Sequence, residues 1–217
     1  MDALMDKYLT DLIARMVDES DQIQEDGFKS SKTISWKALR EAEKLAEQDF
    51  IPQLIRFVET EKNKKKRDGA YFILGHIAKN TGNQIASEFL ISRIDKESDK
   101  YIVSALLNRI AEIKKPNEIS LYPIISATKN EKWLIRYSAI NALKLSNNEI
   151  AEERLIEIIE ISDDVYDLCY ANSTLCLVGT PKAIPYLEKH LQSRKRDVKA
   201  SAKNAIEEIT KRYLTAI

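Results

Sequence analysis

The chain has 217 residues, 44% of them hydrophobic, with 34 basic and 34 acidic side chains; that length buries roughly 70% of the unfolded chain's surface, and the balanced charge argues against a nucleic-acid binder. Only five Gly and five Pro occur, with no Gly-x-Gly-x-x-Gly or Gly-Lys-Ser/Thr run, which argues against a sandwich, a Rossmann sheet or a phosphate loop and for an all-helical chain. No apolar run approaches the ~20 residues of a membrane span, Met1-Asp2-Ala3-Leu4 lacks a basic leader region, and two cysteines fit a reducing compartment, so the expected location is cytoplasmic.

In chain order, residues 3–20 carry Leu4, Tyr8, Leu9, Leu12, Ile13, Met16 and Val17 at helical spacing. This helix is expected to cap the N-terminal end of the fold. Residues 18–26 hold five acids and no base, and with Gly27 and Ser30-Ser31 they read as a loop. Ser35 is placed as the cap of a helix from Trp36, and Asp49 as the cap of the next. Residues 62–67 form a basic turn. A long helix follows to Ala78, then a turn at 80–83 and a helix from Gln84. Asp99 caps a helix to Ile113, Pro116 and Asn117 start the next, and Asn130 leads into a helix over 131–145. Asn147-Asn148 turns into a helix over 150–161, and Asp163 or Asp164 opens one reaching Val178. Gly179-Thr180-Pro181 combines a stop, a cap and a first-turn proline. The last helix runs over 197–214. One domain is expected, with residues 1–34 as capping helix and acidic loop and 35–217 as repeats.

The stretch Ala-Tyr-Phe-Ile-Leu-Gly-His-Ile-Ala at 70–78 is the clearest copy of a unit that recurs six times, starting at Ala38, Ala70, Val103, Ala139, Ala171 and Ala202. In register, the fifth position of each copy holds Ala42, Leu74, Leu107, Leu143, Leu175 and Ile206. The eighth holds Leu45, Ile77, Ile110, Ser146, Val178 and Ile209. That spacing puts these side chains on one helical face. A second apolar pattern lies between copies, as in Ile119-Ser120-Leu121-Tyr122-Pro123-Ile124-Ile125. Each unit is therefore two helices, and a fixed period of 31 to 36 residues marks stacked pairs that share a core.

This pattern, Ala-x-x-(Ala/Ile/Leu)-Leu-x-x-Ile with a basic residue three places earlier at Arg67, Lys100, Arg136 and Lys199, resembles the HEAT-repeat family and its HEAT-like relatives over about residues 35–214. The resemblance implies an all-α, right-handed alpha-alpha superhelix of about six helix pairs, with the motif helices lining a concave surface. Only Asp197-Val198-Lys199 keeps the acidic residue the family often places before the base, and Ser35 and Leu168 replace the base in copies one and five. A ladder of Asp–Arg bonds between repeats is weakened accordingly.

Positions opposite the buried stripe follow from about 100° per residue. They present Trp36, Phe72, Tyr101 and Tyr137 beside Arg40, Asn108, Asn141 and Lys144. Aromatics with Arg and Asn on a solvated face have the composition of interface hot spots. These eight residues are the candidate partner-binding set, with a protein or peptide as the partner. Two basic clusters, at 62–67 and at Arg194, Lys195, Arg196 and Lys199, are candidate phosphate contacts or solvated turns. Residues 149–167 hold eight acids against Arg154 alone, a face for a basic partner or a solvated one.

No catalytic, metal or cofactor constellation emerges. His76 and His190 sit in distant copies, and no His/Cys/carboxylate cluster has metal spacing. Cys169 and Cys176, seven residues apart on one helix, are about 10 Å apart by helical rise, too far to bridge. The leading functional expectation is a binding scaffold, with toxin neutralisation or assembly as roles that fit. The resemblance also implies two alternatives: a HEAT-like DNA glycosylase for alkylated bases, using Trp36, Tyr101, Tyr137 and Asp68, or a bilin lyase or chaperone.

Overall fold

The structure is a computed structural model that describes residues 5–21, 29–146 and 148–214. Leu4, residues 22–27 of the expected acidic loop, and Asn147 lie outside the described residues. Among the described residues there are twelve α-helices and no strand. Cα proximity divides the chain into two compact units, Met1–Leu90 and Ile91–Ile217, the division falling inside one helix. No helix of the described residues is long and apolar enough to cross a membrane.

The first unit begins with α1 (Lys7–Met16), which buries Leu9, Leu12, Ile13 and Met16. It stands where the capping helix was expected. It packs on α2 (Ile34–Ala42) and α4 (Lys64–Thr81), so it also serves as the partner of the first motif helix. Arg15 fixes that pairing: its guanidinium donates to both carboxylate oxygens of Glu41 at 2.8 and 3.1 Å, and to Asp11 at 2.7 Å. The guanidinium holds the Glu41 carboxyl below its usual range. Helix α3 (Ile51–Thr60) packs on α4, which ends at Gly82, whose φ of 69° is the left-handed stop that glycine accepts without strain.

Helix α5 (Gln84–Ser92) contains the division between units. The second unit then runs α6 (Lys100–Ala111), α7 (Tyr122–Ala127), α8 (Trp133–Ala142), α9 (Glu149–Ile161), α10 (Val165–Val178), α11 (Ile184–His190) and α12 (Arg196–Leu214). The motif helices α6, α8, α10 and α12 pack side by side in that order, and α7, α9 and α11 each pack on the motif helix that follows them. Small polar residues stitch the motif row. Ser104 and Ser138 hydroxyls bond at 2.8 Å, Thr174 donates to the Ile140 carbonyl at 3.3 Å, and the buried Asn172 amide donates to Ser201 at 3.1 Å. Each bond ties one motif helix to the next and holds register, although Asn172 Oδ1 is itself buried without a partner.

The repeat register places the core. All six residues at the first motif position are buried, as are Ala42, Leu74, Leu107, Leu143 and Leu175 at the fifth. Ile206 is half-buried, because no further helix follows α12 among the described residues. The Ser146 exception in copy four has a structural consequence. Helix α8 stops at Ala142, Ser146 Oγ turns back to the Leu143 carbonyl, and the backbone of Ser146 forms a bridge with Lys115.

Several expected caps hold and two do not. Asp99, Asp164 and Thr180 accept first-turn amides as expected. Thr33, not Ser35, caps α2; Thr33 is the last extended residue, and Ser35 lies inside the helix, buried. Asp49 falls within a 3-10 turn over Gln48–Phe50 and makes no cap bond, since Pro52 sets the start of α3. The chain after Pro116 stays irregular until α7 begins at Tyr122, so that helix starts later than expected. Asp99 carries two cap bonds, to Tyr101 and Ile102, so Asp99→Ala is expected to lower stability by about 1 kcal/mol, read as a shift in denaturant midpoint.

Candidate functional site

The site is built from three motif helices of the second unit. Asp99 starts α6 so that Tyr101 projects from its first turn, 67% exposed, with Lys100 Nζ 5.0 Å from the ring centre. Two turns later, Asn108 is exposed and its Oδ1 accepts from Asn141 Nδ2 of α8 at 3.5 Å. Trp133 opens α8, and Tyr137 follows one turn on with ring centres 5.5 Å apart. Tyr166 and Tyr170, again one turn apart, place their rings 5.7 and 5.4 Å from Tyr137. Four rings from α8 and α10 thus form one cluster, and Trp133, Tyr166 and Tyr170 are exposed.

Beneath it lies a charged network that sets its geometry. Arg136 donates through Nε to both oxygens of Asp167 at 2.8 and 2.9 Å, and through Nη2 to Asp164 at 3.0 Å. Its Nη1 reaches back to the Asn130 and Glu131 carbonyls at 3.1 and 3.3 Å. The Tyr137 hydroxyl donates to Asp164 at 2.9 Å. Burial tends to raise the Asp164 carboxyl, but the Tyr137 hydroxyl, the backbone amides of Tyr166 and Asp167, and Arg136 together hold it below its usual range. Burial and the Asp164 carboxylate push the Tyr137 phenol up to about 12. One rung of the weakened ladder is therefore present. In the first unit Arg67, at the same motif position as Arg136, donates to the Glu61 and Lys62 carbonyls at 3.1 and 2.9 Å. The basic residue of the motif closes the turn before its helix in both units.

The structure distributes the eight expected residues over both units. Tyr101, Asn108, Tyr137, Asn141 and Lys144 belong to the second, where the first four are joined to the features just described. Trp36, Arg40 and Phe72 belong to the first. There Arg40 lies 5.5 Å from the Trp36 ring centre and pairs with Glu43, while Phe72 is half-buried against His76 with centres 4.5 Å apart. The sequence columns omitted Trp133, Tyr166 and Tyr170. Their signal was present: each stands one turn from another aromatic, Trp133 before Tyr137 and Tyr166 before Tyr170, and residues four apart share a helical face.

Most of the acidic stretch is paired, while Asp163 stands exposed. Lys182 pairs with Glu149 and Glu153, Lys189 with Glu160, Arg154 with Glu157, and Glu152 is buried, accepting from Thr180. The cysteines are free and half-buried, and burial raises both thiols, which suppresses the reactive thiolate. His190 Nε2 donates to the Ile159 carbonyl, 3.0 Å away, and burial lowers its pKa. Among the described residues no group of three or more His, Cys, Asp or Glu is placed to hold a metal.

No family model matches the sequence, and no curated protein matches it. Solved structures do. A designed armadillo repeat protein superposes with a TM-score of 0.56 at 16% identity, covering 93% of this chain and 99% of that one. An engineered protein superposes at 0.59 with 15% identity, covering 95% and 98%. A chain of a phycocyanin lyase complex from Nostoc reaches only 0.43, at 18% identity over 93% and 82%, and carries no weight for function. The helix pairs, the repeating buried register and these superpositions identify the chain as an all-α repeat protein with the armadillo/HEAT-like solenoid fold.

Proposed function

We propose that the chain is a scaffold that holds a protein or peptide on the motif-helix face of its second unit. The observation that carries this reading is the group of exposed rings at Trp133, Tyr166 and Tyr170 gathered around Tyr137, with Tyr101 exposed on α6 and the Asn108–Asn141 pair joining α6 to α8. Exposed aromatics grouped this way are where hot spots form, because rigid rings bury much area at little entropic cost. The paired asparagines add amide donors and acceptors suited to a peptide backbone. The fold itself is commonly used for protein binding, and two reduced cysteines support a cytoplasmic setting. On the first unit Trp36 with Arg40 over its ring is a smaller candidate contact, and Phe72 lies half-buried against His76.

The test is a random peptide library displayed on phage and panned against the wild-type chain, with Trp133→Ala and Tyr101→Ala panned in parallel. Enriched peptides are expected to lose at least about tenfold in affinity on each variant. Absence of enrichment, or equal binding to the variants, overturns the assignment. A duplex carrying an abasic-site analogue serves as the contrasting ligand. Arg136, the cation at the centre of the face, is already neutralised by Asp164 and Asp167, so DNA binding is expected to be weak and lost at physiological salt. Lesion-selective binding that survives salt would replace the scaffold with the glycosylase reading.

A further inference from the structure

The second unit has a cavity of about 300 Å3 at the C-terminal ends of α8 and α10, beside the last turns of α12. That volume is at the lower end of small-molecule sites. Three independent features meet there. The first is apolar surface in the open: Leu145, Leu177 and Tyr213 line the cavity and are exposed. The second is charge of one sign: Lys114, Lys115 and Arg212 line it, and no Asp or Glu does so among the described residues. The third is backbone strain. Leu145 has φ of 54°, the one positive φ outside glycine among the described residues, and its carbonyl accepts from the Lys115 amide at 2.9 Å. Residues held in that region persist where the surroundings over-determine them, and they gather at ligand sites.

Lys115 is the unusual member. It is 2% exposed, and its Nζ donates to the Ile110 and Ile113 carbonyls at 2.8 and 2.7 Å. An ammonium has three donors, so one remains for a ligand. Arg212 commits its terminal nitrogens to the Cys176, Leu177 and Gly179 carbonyls and keeps its charge at the rim.

We propose that this cavity binds a small molecule with an apolar body and one carboxylate, the carboxylate meeting Lys115 and Lys114 and the body lying against Leu145, Leu177 and Tyr213. Burial holds the Lys115 amine down to about 7 against the pull of Glu112. The other charged or titratable groups at the cavity are Lys114, Arg212 and Tyr213, with no carboxylate among them. An arriving carboxylate therefore stabilises the ammonium and draws a proton from the buffer. The carboxylate can belong to a free acid or to a peptide C-terminus with an apolar last residue, since the cavity presents the same groups to both.

The probe is octanoate, titrated calorimetrically at about pH 8 in two buffers of different ionisation heat, with octylamine as the charge-reversed control. Saturable binding with proton uptake is expected, at least about tenfold tighter than octylamine. Leu177→Asp and Lys114→Glu, both at exposed positions, are expected to weaken octanoate at least about tenfold, and Lys115→Met to abolish the proton uptake. The two exposed variants keep the test decisive if Lys115→Met does not fold. A peptide ending in leucine, compared with its C-terminal amide, separates the two sources: a tighter peptide acid assigns the site to chain ends, and tighter octanoate to free acids. Equal binding of octanoate and octylamine, octanoate binding unmoved by Leu177→Asp, or no saturation at millimolar octanoate overturns the proposal.

Discussion

Replacing Arg136 with methionine is expected to cost the second unit about 3 kcal/mol, more than any other single change at the site's surface. Arg136 does three things at once. It neutralises Asp167, which is 7% exposed and has Ser162 Oγ at 3.0 Å as its other side-chain partner. It neutralises Asp164, and it closes the turn at Asn130 and Glu131. Methionine keeps the stem's packing but leaves a buried carboxylate unpaired, and that residual charge carries the penalty. The measurement is urea denaturation in a Trp36→Phe background. The chain has two tryptophans, one in each unit, so that background leaves Trp133 as the reporter of the second. Pairing Arg136→Met with Asp167→Ala should cost much less than the sum of the two, because the second change removes the orphaned charge. A loss under about 1 kcal/mol for Arg136→Met would show that the network is solvated and contributes little.

The second large effect is a dependence of stability on pH centred on Lys115. Its folded-state pKa is lowered to about 7, the larger cause being burial. Between that value and the usual lysine value near 10.4, the unfolded chain binds a proton that the folded chain does not. Stability therefore rises with pH through this window, by up to about 1.4 kcal/mol per unit, and is flat in this respect below about pH 6. Other groups contribute oppositely higher up, since burial raises both thiols. The useful quantity is thus the difference between wild type and Lys115→Met, from denaturation at several values between about pH 6 and 9. That difference should move in favour of the wild type as pH rises. A constant difference would mean that the two carbonyl bonds of Nζ keep the ammonium charged throughout.

Much of the fold was legible because the repeat is written in residue size. Alanine or valine at the first motif position is what lets neighbouring helices approach, and every one of these residues is buried. The caps were legible where an acidic or hydroxyl residue directly preceded the periodic stretch, as at Asp99 and Asp164. They were misread at Ser35 and Asp49, where a 3-10 turn or an earlier extended residue moves the true start of the helix. The site was half legible. The outward columns found Tyr101, Tyr137, Asn108 and Asn141, but the contact of Tyr137 with Tyr166 and Tyr170 depends on the register between α8 and α10. A single helix's periodicity does not contain that register. Lys115 was invisible for a different reason. In Ile113-Lys114-Lys115-Pro116 nothing sets it apart from its exposed neighbour Lys114, whereas the folded chain ties its amide to the Leu145 carbonyl and its Nζ to the Ile110 and Ile113 carbonyls.

Gly179 sets a limit on how this sequence can drift. Its φ of −66° is open to any residue, so conformation is not what requires glycine. A Cβ there would stand 2.6 Å from the Leu175 carbonyl oxygen and 2.9 Å from Ile209 Cδ1. The isoleucine end could give way, but the carbonyl belongs to the last turn of α10 and cannot. Any side chain at 179 therefore unwinds that turn, whose Cys176, Leu177 and Gly179 carbonyls are the acceptors for Arg212. Substitution at one small residue would in this way loosen the C-terminal end of the seam between the last motif helix and its neighbour. Among descendants of this sequence, position 179 should stay glycine even where the outward-facing rings around Tyr137 have been exchanged for those of a different partner.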